Sequence, residues 1–159
     1  MRHSIGKYVL DIDVARTRAY YENAGRITCD CIGCRNYELA VEHLPGNIKD
    51  FFEILGIDIR KPAEISVNCK RRDGNLFYSG FYHICGTIEE GKNTLIQVSE
   101  NVFHFDQAYF CSLADKFQIS FQQECYLVDE YFPRPVFQME IFADIPWVLP
   151  GVECDYVEE

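Results

Sequence analysis

The chain has 159 residues, a formal charge of −10, 48% apolar residues and 14% aromatics. This is the size of one domain, with apolar content for a core of its own, and it excludes a disordered segment. The acidic balance, with basic runs no longer than Arg16–Arg18 and Lys70–Arg72, excludes a nucleic-acid backbone as the main partner, because such binding rests on neutralising phosphates.

The opening MRHSIGKYVLDID has no apolar run leading to a small-residue cleavage site, and nothing approaches the roughly 18 consecutive apolar residues of a membrane span. The expectation is a cytoplasmic protein with no membrane segment. Its eight cysteines would then stay reduced and serve as thiols, metal ligands or redox groups rather than disulfides.

The first predicted element is a strand over Tyr8–Val14, where Leu10, Ile12 and Val14 alternate with Asp11 and Asp13. Ala15–Asn23 lacks Gly and Pro and suits a short helix stopped near Gly25. From Arg35 the pattern turns helical, with Tyr37, Ala40, Val41 and Leu44 on one stripe and Pro45-Gly46 ending it. A second helix follows, with Asn47 as its expected cap and Ile48, Phe51, Phe52 and Leu55 as its buried face. Gly56 is placed for a left-handed cap and Ile57 for the fold-back contact.

After Pro62 the chain reads as β. Ile65, Val67 and Cys69 alternate with polar neighbours, Asp73-Gly74 signals a hairpin turn, and a long aromatic strand covers Leu76–Ile88. Gly80 inside that strand predicts a bulge or a close backbone approach. Shorter strands are expected at Thr94–Val98 and Val102–Phe105, with a helical turn somewhere in Ala108–Lys116. Two final strands carry Phe117, Ile119, Phe121, Cys125 and Leu127, then Phe137, Met139, Ile141 and Ala143. The fold class expected is therefore α+β: a mostly antiparallel β-sheet with an N-terminal helical hairpin packed on it. Residues 1–150 form the single domain and the acidic residues 151–159 a frayed tail.

The chemistry concentrates in TCDCIGCRNY, where Cys29, Cys31 and Cys34 fall within six residues. Thiolates bind zinc tetrahedrally, and ligands spaced this closely converge at little ordering cost. A fourth ligand is expected from the sheet, Cys85 first and His83 as the alternative, since both lie in the YHIC stretch. The competing reading is redox chemistry at Cys31 and Cys34, with a cysteine at a helix N-terminus stabilised as thiolate. Packing of some of these thiols in small apolar gaps is the bland third account. No G-x-G-x-x-G, P-loop, H-E-x-x-H or G-x-S-x-G occurs.

CDCIGCRNY, followed by LGIDIRKPAEI and GFYHICG, resembles a family of uncharacterised bacterial proteins carrying a C-x-C-x-x-C-R-N segment. The resemblance spans roughly the first ninety residues and implies a small bacterial cytosolic protein, with no activity attached. The function expected is a non-enzymatic binding or regulatory domain that acts on another protein and holds a structural zinc; the alternative is a thiol-dependent redox enzyme or sensor. Self-association is left open.

Overall fold

The computed structural model describes residues 1–159. Two strands open the chain, β1 (Arg2–Ile5) and β2 (Tyr8–Ile12), joined by a tight turn in which Gly6 has φ +56°. This corrects the expected start: the helical section follows a strand hairpin and is not N-terminal. The strand β1 escaped notice because a four-residue segment with a Ser and a His shows almost no alternation to read.

Helix α1 (Val14–Asn23) begins where the Asp13 carboxylate accepts the Arg16 amide at 3.0 Å. Helix α2 (Ile32–Ala40) begins at Cys31, runs into a 3₁₀ turn (Val41–His43), and gives way to α3 (Gly46–Ile54). The cap expected at Asn47 is not there. Pro45 takes that position, and Asn47 donates instead to the Leu113 carbonyl at 2.9 Å. At the other end the reading holds: Gly56 has φ +79°, its amide donates to Glu53 and the Ile57 amide to Phe52. A side chain at Gly56 would also sit 2.7 Å from the Val14 carbonyl, so this turn packs α3 directly on α1.

The β section is β3 (Glu64–Lys70), β4 (Leu76–Glu90), β5 (Leu95–Ser99), β6 (Val102–Phe105), β7 (Cys111–Ala114), β8 (Phe117–Gln122) and β9 (Val136–Ile145). Seven strands form one sheet in the order β1-β2-β4-β9-β8-β7, with β3 also on β4, and every pair of strands is antiparallel. The hairpin β5–β6 stands apart as a second sheet. β8 ends at Gln122, so Cys125 and Leu127 do not continue it, and Leu127 turns with φ +52°. The helical turn expected before Lys116 is a 3₁₀ turn at Gln107–Tyr109, followed by β7.

β4 is long enough for two partners on one edge: β3 along Leu76–Phe81 and β2 along Gly86–Glu90. Between them α1 supplies the missing ladder. The Thr17 hydroxyl accepts the Cys85 amide at 3.0 Å, and the Cys85 carbonyl accepts the Asp13 amide at 2.8 Å.

Register assigns the two faces of this sheet. Tyr78, Tyr82 and Ile84 lie opposite Ala143, Met139 and Phe137, and with Phe117, Ile119 and Phe121 they form the face that the helices cover. Phe52 of α3 packs edge-on against Tyr82 and Phe117, with centroids at 5.1 and 6.2 Å, and the Tyr37 and Tyr82 hydroxyls bond each other. Twenty-eight buried residues form one continuous cluster. The opposite face carries Phe81, His83 and Cys85 with Gln138, Glu140 and Gln122.

The closing residues do not fray as their charge suggests. The Lys70 amide donates to Val157 at 2.9 Å, the Glu159 amide donates to Lys70 at 3.0 Å, and Glu158 forms a parallel bridge to Lys70. Arg71, just past the end of β3, pairs with both Asp144 and Glu159 and so ties the last residue of the acidic tail to the sheet. Upstream, the Trp147 indole donates to the Val152 carbonyl at 3.0 Å. No helix is long and apolar enough to cross a membrane.

Candidate metal centre

Three sulfurs meet where the chain enters α2. The ligand atoms of Cys29, Cys31 and Cys34 all lie within 4.8 Å of one another, the first two exposed and the third buried. Cys29 and Cys31 come from the irregular segment before the helix, and Cys34 from the first helical turn. Cys31 is the cap residue itself, and its sulfur accepts the Cys34 amide at 3.5 Å. The free amides of a helix start favour negative charge, so the sequence places its thiols where a thiolate is stabilised.

That amide is the leading cause holding the Cys31 thiol below its ordinary range, with smaller help from the thiols of Cys29 and Cys34 and the Gly33 amide. Burial pushes the Cys34 thiol well up, and the neighbouring Cys31 and Cys29 sulfurs add to the effect. Without a cation the cluster is therefore asymmetric, with the Cys31 thiol lowered and the Cys34 thiol raised. A divalent cation reverses the second shift, because it supplies the positive charge that a buried thiolate lacks.

The floor of the site is built by residues that the cysteine pattern did not point to. The Tyr78 hydroxyl donates to the Gly33 carbonyl at 2.7 Å. The Asn36 amide group donates to the Tyr78 hydroxyl at 3.2 Å and to the Pro146 carbonyl at 3.0 Å, while its oxygen accepts the Val148 amide at 2.7 Å. Asn36 is fully buried, so the Asn of C-R-N acts as a rivet between α2, β4 and the segment after β9. Gly33 is helical, and its role is space rather than a special turn. A Cβ there would lie 2.5 Å from the Tyr156 hydroxyl and 2.9 Å from Val67 Cγ2. Tyr156 thus brings the C-terminal segment over the cysteines, which a tail read as frayed gave no reason to expect.

Cys85 and His83 are not brought to the cluster. Both lie on the face of β4 opposite to Tyr78, and Cys85 is seven residues further along the strand, roughly 23 Å of extended chain. His83 packs beside Phe132, with centroids at 5.7 Å, and its Nε2 lies 3.3 Å from the Gln138 side-chain oxygen. No fourth His, Cys, Asp or Glu ligand atom joins the three sulfurs. Beside them lies a cavity of about 600 Å³, bounded by the Arg26–Cys29 segment, the Pro62–Val67 stretch, Tyr78 and Tyr156.

Comparison with family models, with curated proteins and with solved structures gave no match to this chain. What stands is the geometry: three thiols that can hold a metal ion.

Proposed function

We propose that this chain is a metal-binding domain, holding zinc through the thiolates of Cys29, Cys31 and Cys34, and that it works by binding another protein rather than by catalysis. The observation that carries the metal reading is the convergence of three ligand sulfurs within 4.8 Å at a helix start. The helix amide on Cys31 supports it, because such a bond stabilises a thiolate ligand. A protein partner is supported by Val98, Val102 and Phe103, which leave apolar surface exposed on the β5–β6 hairpin.

Elemental analysis of protein purified without chelator tests the metal directly. Wild type should hold about one zinc per chain, and Cys31→Ser none with a markedly lower Tm, because binding energy at such a site is folding energy. A metal-free wild type as stable as Cys31→Ser would defeat the reading.

The burial contrast between exposed Cys31 and buried Cys34 favours a second reading, a dithiol centre. There Cys31 attacks a substrate disulfide and releases one thiol. Cys34 then resolves the mixed disulfide and releases the other, leaving a Cys31–Cys34 disulfide. Metal-free protein in which iodoacetamide modifies Cys31 far faster than Cys34 distinguishes it.

A further inference from the structure

Resting on the metal reading above, we infer that the fourth position on the ion belongs to an exogenous small thiol, held in the cavity beside the cysteines. Zinc in protein sites is four-coordinate, and closed sites draw all four ligands from the chain, whereas open sites draw three. Here three sulfurs converge and no fourth protein ligand joins them.

The one carboxylate along the cavity, that of Glu64, is turned the other way. Glu64 is paired with Phe81 on the far face of β4, where its charge acts on Glu140. Strand alternation puts Ile65 and Val67 on the opposite side from Glu64, the side of Gly33 and the cysteines, and Ala63 just before the strand also lines the cavity. With Ile27 and Pro62 they give the cavity an apolar wall, and the cavity's 600 Å³ suits a small organic body.

Arg26 is the one cation bordering the cavity, and its guanidinium is held only loosely, 3.4 Å from Glu38. An anionic head on an apolar body is what these walls accept. Beside three thiolates a soft sulfur donor matches the ion better than a carboxylate, because soft ligands group together on the metals that thiolates select. The ligand class is therefore a low-molecular-weight thiol.

Cobalt(II) loaded into the protein in place of zinc reports its own sulfur count through the intensity of its sulfur-to-cobalt charge-transfer bands. With the phosphine TCEP as the only reductant, 1-propanethiol should raise that intensity by about one third, one sulfur added to three, and 1-propanol should leave it unchanged. Ala63→Trp, which fills the cavity from an exposed position, should keep the starting spectrum and lose the response to thiol. Cobalt bound with a spectrum indifferent to 1-propanethiol overturns the inference and leaves the metal reading standing. So does an Ala63→Trp variant that responds like wild type. Protein that takes up no cobalt overturns both.

Discussion

The phenolic hydroxyl of Tyr21 donates to the His83 carbonyl at 2.9 Å and accepts from the His83 amide at 3.1 Å. One side chain of α1 thereby takes both bonds that a neighbouring strand would offer this residue of β4. Burial pushes the phenol far above its usual range, so it stays protonated and keeps donating at any ordinary pH. Tyr21→Phe keeps the ring and strands a buried amide and a buried carbonyl together. The expected cost is about 2 to 4 kcal/mol, read as a fall in the urea midpoint without a change in slope. A loss of a few tenths would mean that water repairs the gap.

Asn36 offers a sharper test, because its isostere should be no improvement on truncation. Asn36→Ala abandons the Tyr78 hydroxyl, the Pro146 carbonyl and the Val148 amide, at a cost of about 3 kcal/mol. Asn36→Asp restores the acceptor for Val148 but turns a carboxylate oxygen onto the Pro146 carbonyl. Thermal unfolding should rank Asn36→Asp at or below Asn36→Ala. An aspartate variant near wild type would show that the two donated bonds do not matter.

Glu140 sets a pH dependence. Its carboxylate accepts from Gln122 at 2.8 Å and Gln138 at 2.6 Å, yet burial dominates and raises it to about 7, with the Glu64 charge adding to the effect. A carboxyl raised in the folded state binds its proton more tightly there than in the unfolded chain. Stability from this group is therefore full below pH 4.5 and lost as pH rises through 7. The shift corresponds to on the order of 3 kcal/mol. Glu140→Gln removes that slope, so its advantage over wild type should grow steadily between pH 5 and pH 8 in urea unfolding. A difference that is constant with pH counts against the assignment.

Cys85 and Cys31 should separate cleanly. Cys85→Ala leaves a small cavity in the core and is expected to cost about 1 kcal/mol, with zinc content unaltered. Loss of metal in this variant would return Cys85 to the ligand set.

Those outcomes bear on what a sequence discloses. The Gly56 cap, the alternation of β4 and β9 and the clustering of three thiols were legible because each depends on residues a few positions apart. The fourth ligand was not. Cys85 and His83 share a face with each other and not with Tyr78, as alternation requires, but only the packing of Gly33 and Asn36 on Tyr78 shows that α2 and its cysteines lie on the other side of the sheet. Asn36 was likewise invisible as a rivet, since its partners Tyr78, Pro146 and Val148 lie far away in the chain. Charge counting misjudged the end of the chain, where the Lys70 backbone and the Arg71 side chain take partners that local pattern cannot supply.

The bond between Trp147 and Val152 gives the protein an optical probe of its own. Trp147 is the single tryptophan among 159 residues, and its indole N–H is committed to a carbonyl four residues ahead of Tyr156. Indole emission shifts to the red when its hydrogen bond passes from protein to water. The colour of the fluorescence therefore reads the docking of the segment that covers the cysteines, without a label and in the unmodified chain.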